Sequence, residues 1–372
     1  MTNKSLHFII AIFVIISAFA CSNKQVHRKQ LSDKSFQTLQ MDSVFTFTES
    51  DEVAFQHISS MKTDGHGHII VHDFRQPFLF MFDREENVLQ KIGRKGKGPG
   101  EFEQINSFMV TPNHLWIMGS HAVKIELFEY KHAVYQHVHT INLGSRKLAG
   151  LFLGKTDKGI LIRKEVIIRA NRKDNPVKAG ITLINKNGEI IHDSILKVPF
   201  QEQLTVHHSG NTLTTGKSYG NRSLLAFDGN CIYTLWTDSL SIDRYSLNGD
   251  HRKAFSYPLS PVKITDKEKE EVLNKYPAIF RDALQRGLPD VKPVVNKFII
   301  DDQHRIWMDL LTERLGKGWF CFTEEGKPLY KINIPRPGAE LQEISGDLVL
   351  WNYRNEDGAP TIAVSKLKTE EM

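Results

Sequence analysis

The chain has 372 residues, 40% of them hydrophobic, and carries a formal net charge of +5. The apolar content is enough for a packed core, and the mild charge hints at anionic partners without making a case for nucleic acid. Three cysteines, two of them far apart in the body of the chain, exclude a disulfide framework and a cysteine metal cluster.

The N-terminus carries Lys4, an apolar run from Phe8 to Ile16, and then Ser17-Ala18-Phe19-Ala20-Cys21. A charged start, an apolar run and a small-residue end make a signal peptide of residues 1–20. The run is too short for a comfortable membrane span. Cys21 straight after Ala20 resembles a bacterial lipobox, although Ala18 stands where that motif usually has Leu. The resemblance implies a lipidated Cys21 at the mature N-terminus, with several acyl chains giving stable anchoring. Residues 21–40 are polar and read as a tether. Ser22-Asn23-Lys24-Gln25 lacks the acidic residues of surface-export tags, which points to an outer-membrane lipoprotein facing the periplasm.

A turn-then-strand pattern recurs through residues 41–372. Asp64-Gly65, Pro112-Asn113, Lys158-Gly159, Asp228-Gly229, Asp302-Gln303 and Ser345-Gly346 each precede a short β-rich run. The first three and the last two of these hinges lie roughly 43–48 residues apart, the interval of a four-stranded propeller blade. The two middle intervals are longer by about 25 residues each. A second set of turns, Glu86-Asn87, Asn187-Gly188, Asn248-Gly249 and Glu325-Gly326, reads as hairpins between third and fourth strands. Six hinges predict an all-β, six-bladed β-propeller with four-stranded blades. The C-terminus is one strand short, and Ser43 to Thr48 supplies it, closing the ring without an exposed edge.

The middle insertions carry their own signals. Thr265-Asp266-Lys267-Glu268 is a capping box, and Val272, Leu273 and Tyr276 continue as an apolar stripe. A small helical insertion is therefore expected over residues 264–288, broken at Pro277 and ended near Gly287.

The stretch from Asp64 to Phe102 resembles an NHL repeat. Asp64-Gly65, His68 to Asp73, Phe82-Asp83 and the glycine-rich loop Gly93 to Phe102 carry the likeness. It is similar in particular to six-bladed propeller lipoproteins of Bacteroidota with a Gly-Lys-Gly-Pro-Gly-Glu-Phe loop behind a lipobox. The resemblance implies fold and location, and that family brings no settled activity. NHL relatives that bind RNA or act as lyases commonly place Arg at the start of the third strand, where this chain has Phe78.

Candidate chemistry is sparse. The glycine loop leads into a strand and not a helix, so it lacks the free N–H groups of a phosphate cradle. His66, His68 and His72 share a strand face, but no carboxylate or cysteine cluster accompanies them, so no metal and no cofactor is expected. Asp73, Asp238 and Asp309 recur at the ends of second strands and read as blade-building residues. In a propeller, blade-to-blade connections and second-to-third-strand loops emerge on one face. That face receives Asp73, Arg75, Arg94, Lys95, Lys97, Arg169, Arg172, Arg314 and Arg354. An arginine-rich mouth suits anionic groups through forked hydrogen bonds. No catalytic set converges in the sequence. The expected role is a non-catalytic binding or scaffold module for an anionic glycan, a peptide or an envelope protein. The alternatives are a lyase or hydrolase acting at the pore and a structural subunit of a membrane complex.

Overall fold

The computed structural model describes residues 30–51, 53–120, 123–144, 148, 150–166, 178–208 and 211–368. The signal peptide, Cys21, Arg169 and Arg172 lie outside the described residues.

Six antiparallel four-stranded sheets follow one another as the hinge spacing predicts. Blade 1 runs from Ile58–Thr63 to Val88–Ile92, blade 2 from Ile105–Thr111 to Val134–Asn142, and blade 3 from Gly150–Lys155 to Ile190–Pro199. Blade 4 runs from Ser223–Phe227 to His251–Tyr257 and blade 5 from Val295–Ile300 to Pro328–Ile332. The first strand of each blade is innermost, and inner strands touch between blades 2 and 3, 3 and 4, 4 and 5, and 6 and 1. Each hinge joins the first strand to the second. Asp64 shows why the residue type matters: its Oδ1 accepts from the backbone N–H of His66 at 2.9 Å and of His68 at 2.8 Å. An aspartate that bonds its own backbone fixes a tight turn locally.

Blade 6 consists of Glu340–Ser345, Leu348–Arg354, Pro360–Lys368 and, as its outer strand, Gln37–Phe47 from the other end of the chain. Gln40 pairs with Lys368 and Phe47 with Ile362, antiparallel. The first residues of the same strand, Gln37 to Leu39, pair in parallel with Tyr330 to Ile332 of blade 5. The expected closing strand Ser43–Thr48 is thus longer at its start. The body also begins before the expected boundary at residue 41. Leu31 and Phe36 are buried against blades 4 and 5, and Asp33 pairs with Lys331 at 2.8 Å. Two isolated apolar residues in a polar stretch leave no periodic signal in the sequence, so the tether read past its real end.

Between blades the sheets pack face on face. Phe45 and Phe47 join Ile69, Val71, Leu350 and Val364 in one cluster at the seam. Each fully buried side chain of this size contributes about 1.5–3 kcal/mol.

Both middle insertions are present and they meet. The segment before blade 4 forms a hairpin, Gln203–His208 with Asn211–Gly216. The segment after it forms helices α1 (Asp266–Lys275) and α2 (Ala278–Gly287). The capping box is real: Thr265 Oγ1 accepts from Glu268 N–H, and Glu268 Oε2 accepts from Thr265 N–H at 3.0 Å. Leu204 of the hairpin packs with Val272 of α1 and Leu284 of α2 in a small separate core.

Candidate functional site at the mouth of the central channel

The ring has two faces. Hinges and third-to-fourth-strand turns form one, the hinge face. Blade-to-blade connections form the other, the crossover face, where the sequence places its candidate residues.

On the crossover face those residues are engaged separately. Asp73 is fully buried, and its carboxylate accepts backbone N–H groups of Gln56 at 2.7 Å, His57 at 3.1 Å and Arg75 at 2.9 Å. Arg94 pairs with Glu101 at 2.9 Å and Lys97 with Glu103 at 3.4 Å. Arg354 donates to the carbonyls of Gly358 at 2.7 Å and Gln56 at 3.4 Å. Arg354 and Asp73 therefore meet the same short segment, and Arg75 N–H joins them at the Asp73 carboxylate. Arg75 and Arg314 are exposed on separate loops, and Lys95 is exposed on the two-residue strand Arg94–Lys95. Asp238 and Asp309 do not repeat the role of Asp73. Asp238 is exposed, and Asp309 accepts from Asn296 Nδ2 at 2.7 Å.

The glycine loop is structural. Gly93 and Gly100 adopt positive φ of 90° and 70°. A Cβ on Gly96 would lie 2.1 Å from Glu101 Oε2, because that carboxylate reaches back to cap Gly98 N–H at 2.9 Å. The histidines are also dispersed. His66 stacks on Tyr130 with ring centroids 4.0 Å apart, whereas His68 pairs with Asp64 at 2.8 Å.

The hinge face holds a cavity of about 750 Å³ to which all six blades contribute. It is the mouth of the channel between the inner strands. Blades 2, 3 and 4 supply an apolar arc of Phe108, Val110, Phe152, Leu153 and Phe227. Blades 5, 6 and 1 supply a polar arc of Asp302, Glu343, Ser345 and Lys62. Gly154 makes the apolar arc possible, because a Cβ there would lie 2.3 Å from the Phe227 ring. Lys62 and Lys155 face Asp64, Asp302 and Glu343 across this mouth, so it has no cationic bias.

The polar arc is wired along the inner strands. Lys62 Nζ meets Glu343 Oε1 at 2.9 Å, and Glu343 Oε2 accepts from Thr63 Oγ1 at 2.9 Å. Lys297 donates to the Leu341 carbonyl at 2.7 Å, and Arg222 to the Asn296 carbonyl at 2.7 Å. Burial depresses the Lys297 ammonium below the usual lysine range and raises Asp309 above the usual carboxylate range. A low-dielectric channel penalises both charged forms. One Ser–His pair lies near the crossover end: Ser59 Oγ is 2.8 Å from His72 Nδ1. Burial holds His72 neutral, with its pKa lowered to about 4, so it is a weak base.

The sequence named Asp64, Pro112, Asp302 and Ser345 of this mouth only as hinge residues, and none of its lining as a site. The inner-strand lining, Lys62, Phe108, Phe152, Phe227 and Glu343, left only an alternation, which says that a residue faces the axis but not that six such strands converge.

The fold and this mouth define a six-bladed β-propeller with an open channel. The chain belongs to the DUF5128 family, described as a 6-bladed beta-propeller, whose model matches residues 22–278. A Bacteroides fragilis protein whose name proposes export is similar in structure, with a TM-score of 0.54 at 13% identity, over 91% of this chain and 97% of that one. A DUF4221-family member from Bacteroides vulgatus is similar with a TM-score of 0.50 at 8% identity, over 90% of this chain and 99% of that one. At such identities the likeness is one of fold. No curated protein matches the chain. Among the described residues no helix is long and apolar enough to cross a membrane.

Proposed function

We propose that this protein is a lipid-anchored module of the cell envelope that binds its ligand, without chemistry, in the mouth on the hinge face. The observation that carries this reading is the mouth itself: about 750 Å³, apolar on one arc and polar on the other. Cavities of this size with a few placed polar groups are the usual form of a ligand site. The two-sided lining suits a glycan or a peptide segment, whose apolar faces stack on Phe108, Phe152 and Phe227 while polar groups meet Lys62, Asp302 and Ser345. Anchoring rests on the lipobox-like Cys21, and an envelope location agrees with the export proposed for the Bacteroides fragilis relative in fold.

The test is an array of envelope glycans and peptides probed with the full chain in detergent. The double change Phe152→Leu and Phe227→Leu keeps both side chains apolar but removes two ring faces. Aromatic contacts of this kind are each worth about 0.5–1.5 kcal/mol, so about a tenfold loss of affinity is expected at an unchanged melting temperature. The double change Arg75→Ala and Arg354→Ala is expected to leave binding alone. The opposite outcome moves the site to the crossover face and restores the anion-binding expectation.

A further inference from the structure

Three donor side chains converge on the hinge face between blades 4 and 5. Asp228 opens the hinge of blade 4, His304 lies in the hinge of blade 5, and Glu324 lies in the last turn of blade 5. Their candidate ligand atoms, an imidazole nitrogen and two carboxylate oxygens, all lie within 4.8 Å of one another.

The repeat shows what these positions hold in another blade. The hinge Asp64 to His68 in blade 1 and the hinge Asp301 to Arg305 in blade 5 are built alike. In each, the aspartate Oδ1 accepts N–H groups two and four residues on. Gly67 and His304 take the same place, with φ of 91° and 60°. Arg84 and Glu324 also correspond, each second in a turn closed by the same backbone bond, Asp83 to Asn87 and Thr323 to Lys327. In blade 1 the two positions touch, Arg84 Nε donating to the Gly67 carbonyl at 3.4 Å. Blade geometry thus brings the pair together. In blade 5 the pair is an imidazole and a carboxylate, and blade 4 adds Asp228.

The remaining bonds of the two carboxylates orient them. Asp228 Oδ1 accepts from Asn230 N–H at 2.7 Å and Cys231 N–H at 2.6 Å, and the Tyr233 hydroxyl also interacts with this carboxylate. Glu324 Oε2 accepts from Tyr233 Oη at 3.0 Å and from Arg244 Nη1 at 2.7 Å. Outer hydrogen bonds of this kind fix ligating carboxylates. Arg244 also offsets one negative charge, which weakens affinity relative to a closed structural zinc site.

We propose that Asp228, His304 and Glu324 form a site for a divalent first-row transition ion, Zn²⁺ foremost. Mixed imidazole and carboxylate donors select such ions over Ca²⁺ and Mg²⁺, which take oxygen ligands. Three protein ligands leave a coordination position open. Gly229 and Asp302, close in sequence to Asp228 and His304, line the channel mouth, so the ion sits at its rim. The site does not depend on what the mouth binds.

The experiment is calorimetric titration of the chelator-stripped full chain in detergent with Zn²⁺ and Mn²⁺ at pH 7.5. One Zn²⁺ per chain is expected. His304→Gly removes the ligand and relieves a left-handed backbone, so it folds at least as well. Asp228→Asn keeps the Oδ1 that holds its turn. Each is expected to weaken Zn²⁺ at least tenfold, while His66→Ala on the same face changes nothing. Absence of stoichiometric binding by the unaltered chain overturns the proposal. So does binding that both variants leave intact, since another of the histidines would then be the ligand.

Discussion

Lys62 of blade 1 and Glu343 of blade 6 form a 2.9 Å ion pair at the seam where the ring closes, inside the channel mouth. The pair is partly exposed, and such pairs contribute little by themselves. Glu343 has a second role, because its other oxygen accepts both the N–H and the Oγ1 of Thr63. Removing a half-buried acceptor that serves two donors costs about 1–3 kcal/mol, more than losing the charge. Glu343→Ala is therefore expected to destabilise by that amount in urea titration, and Glu343→Gln by under about 1 kcal/mol. Equal losses would mean that the charge, and not the bonds to Thr63, holds the seam.

Closure also depends on how the chain begins. Deletion through Gln30 is expected to leave the melting temperature unchanged in a soluble Cys21-less protein. Deletion through Phe36 removes two buried side chains, Leu31 and Phe36, and the Asp33–Lys331 pair. The expected cost is about 3–6 kcal/mol. Deletion through Thr48 takes away the outer strand of blade 6 and exposes the edge of Pro360–Lys368, so aggregation is expected. Thermal melts and size-exclusion chromatography of the three truncations check the order.

The architecture was legible because each blade repeats a local solution. Asp64 and Asp301 bond their own backbone in the same way, and Gly188, Gly249 and Gly326 take positive φ of 84°, 92° and 82° in equivalent turns. Such signals are local, and sequence displays local chemistry. The site was not legible for the converse reason. Arg94 and Lys97 look available in the sequence but are each engaged by a neighbouring glutamate. Phe152 and Phe227 look like ordinary strand residues and become a wall only when blades 3 and 4 abut. Asp228, His304 and Glu324 are far apart in the chain and come from two blades, and only ring geometry assembles them.

The anchor is tested at one atom. Cys21→Ser removes the thiol that takes the diacylglyceryl group in the lipobox reading. The variant is expected in the soluble fraction, without label from a clickable fatty acid. Retention in the membrane fraction with label intact would refute lipidation at this position.

Acid stability should report on His72. Burial lowers its pKa from 6.5 to about 4, with Asp73 opposing and His57 adding to the effect. The folded state thus refuses a proton that the unfolded chain accepts. Its contribution is fully present above pH 6.5 and is lost as pH falls toward 4, by about 3 kcal/mol in all. His72→Asn keeps a partner for Ser59 without titrating. Its urea midpoint is expected to fall less steeply than that of the unaltered chain between pH 6.5 and 4. Parallel curves would assign the acid sensitivity to other groups.

Gly154 gives the sharpest link between packing and the mouth. It lies in the inner strand of blade 3, and the Phe227 ring of blade 4 occupies the space where a Cβ would project, 2.3 Å away. A ring at that distance cannot stay, so Gly154→Ala must displace Phe227 or push blades 3 and 4 apart. Overpacking of this kind costs about 1–3 kcal/mol. The two responses differ in what they do to the site. If the ring turns into the channel, stability falls modestly and the cavity narrows on its apolar arc, so binding to the mouth is lost while the ring stays closed. If the blades separate, the loss of stability is larger and Leu161, Ile181 and Ile232, buried between them, become accessible to solvent. Hydrogen exchange across the strands Ile160–Val166 and Cys231–Trp236 distinguishes these outcomes. Exchange unchanged, with no loss of stability, would mean that the aromatic arc is not set by this contact.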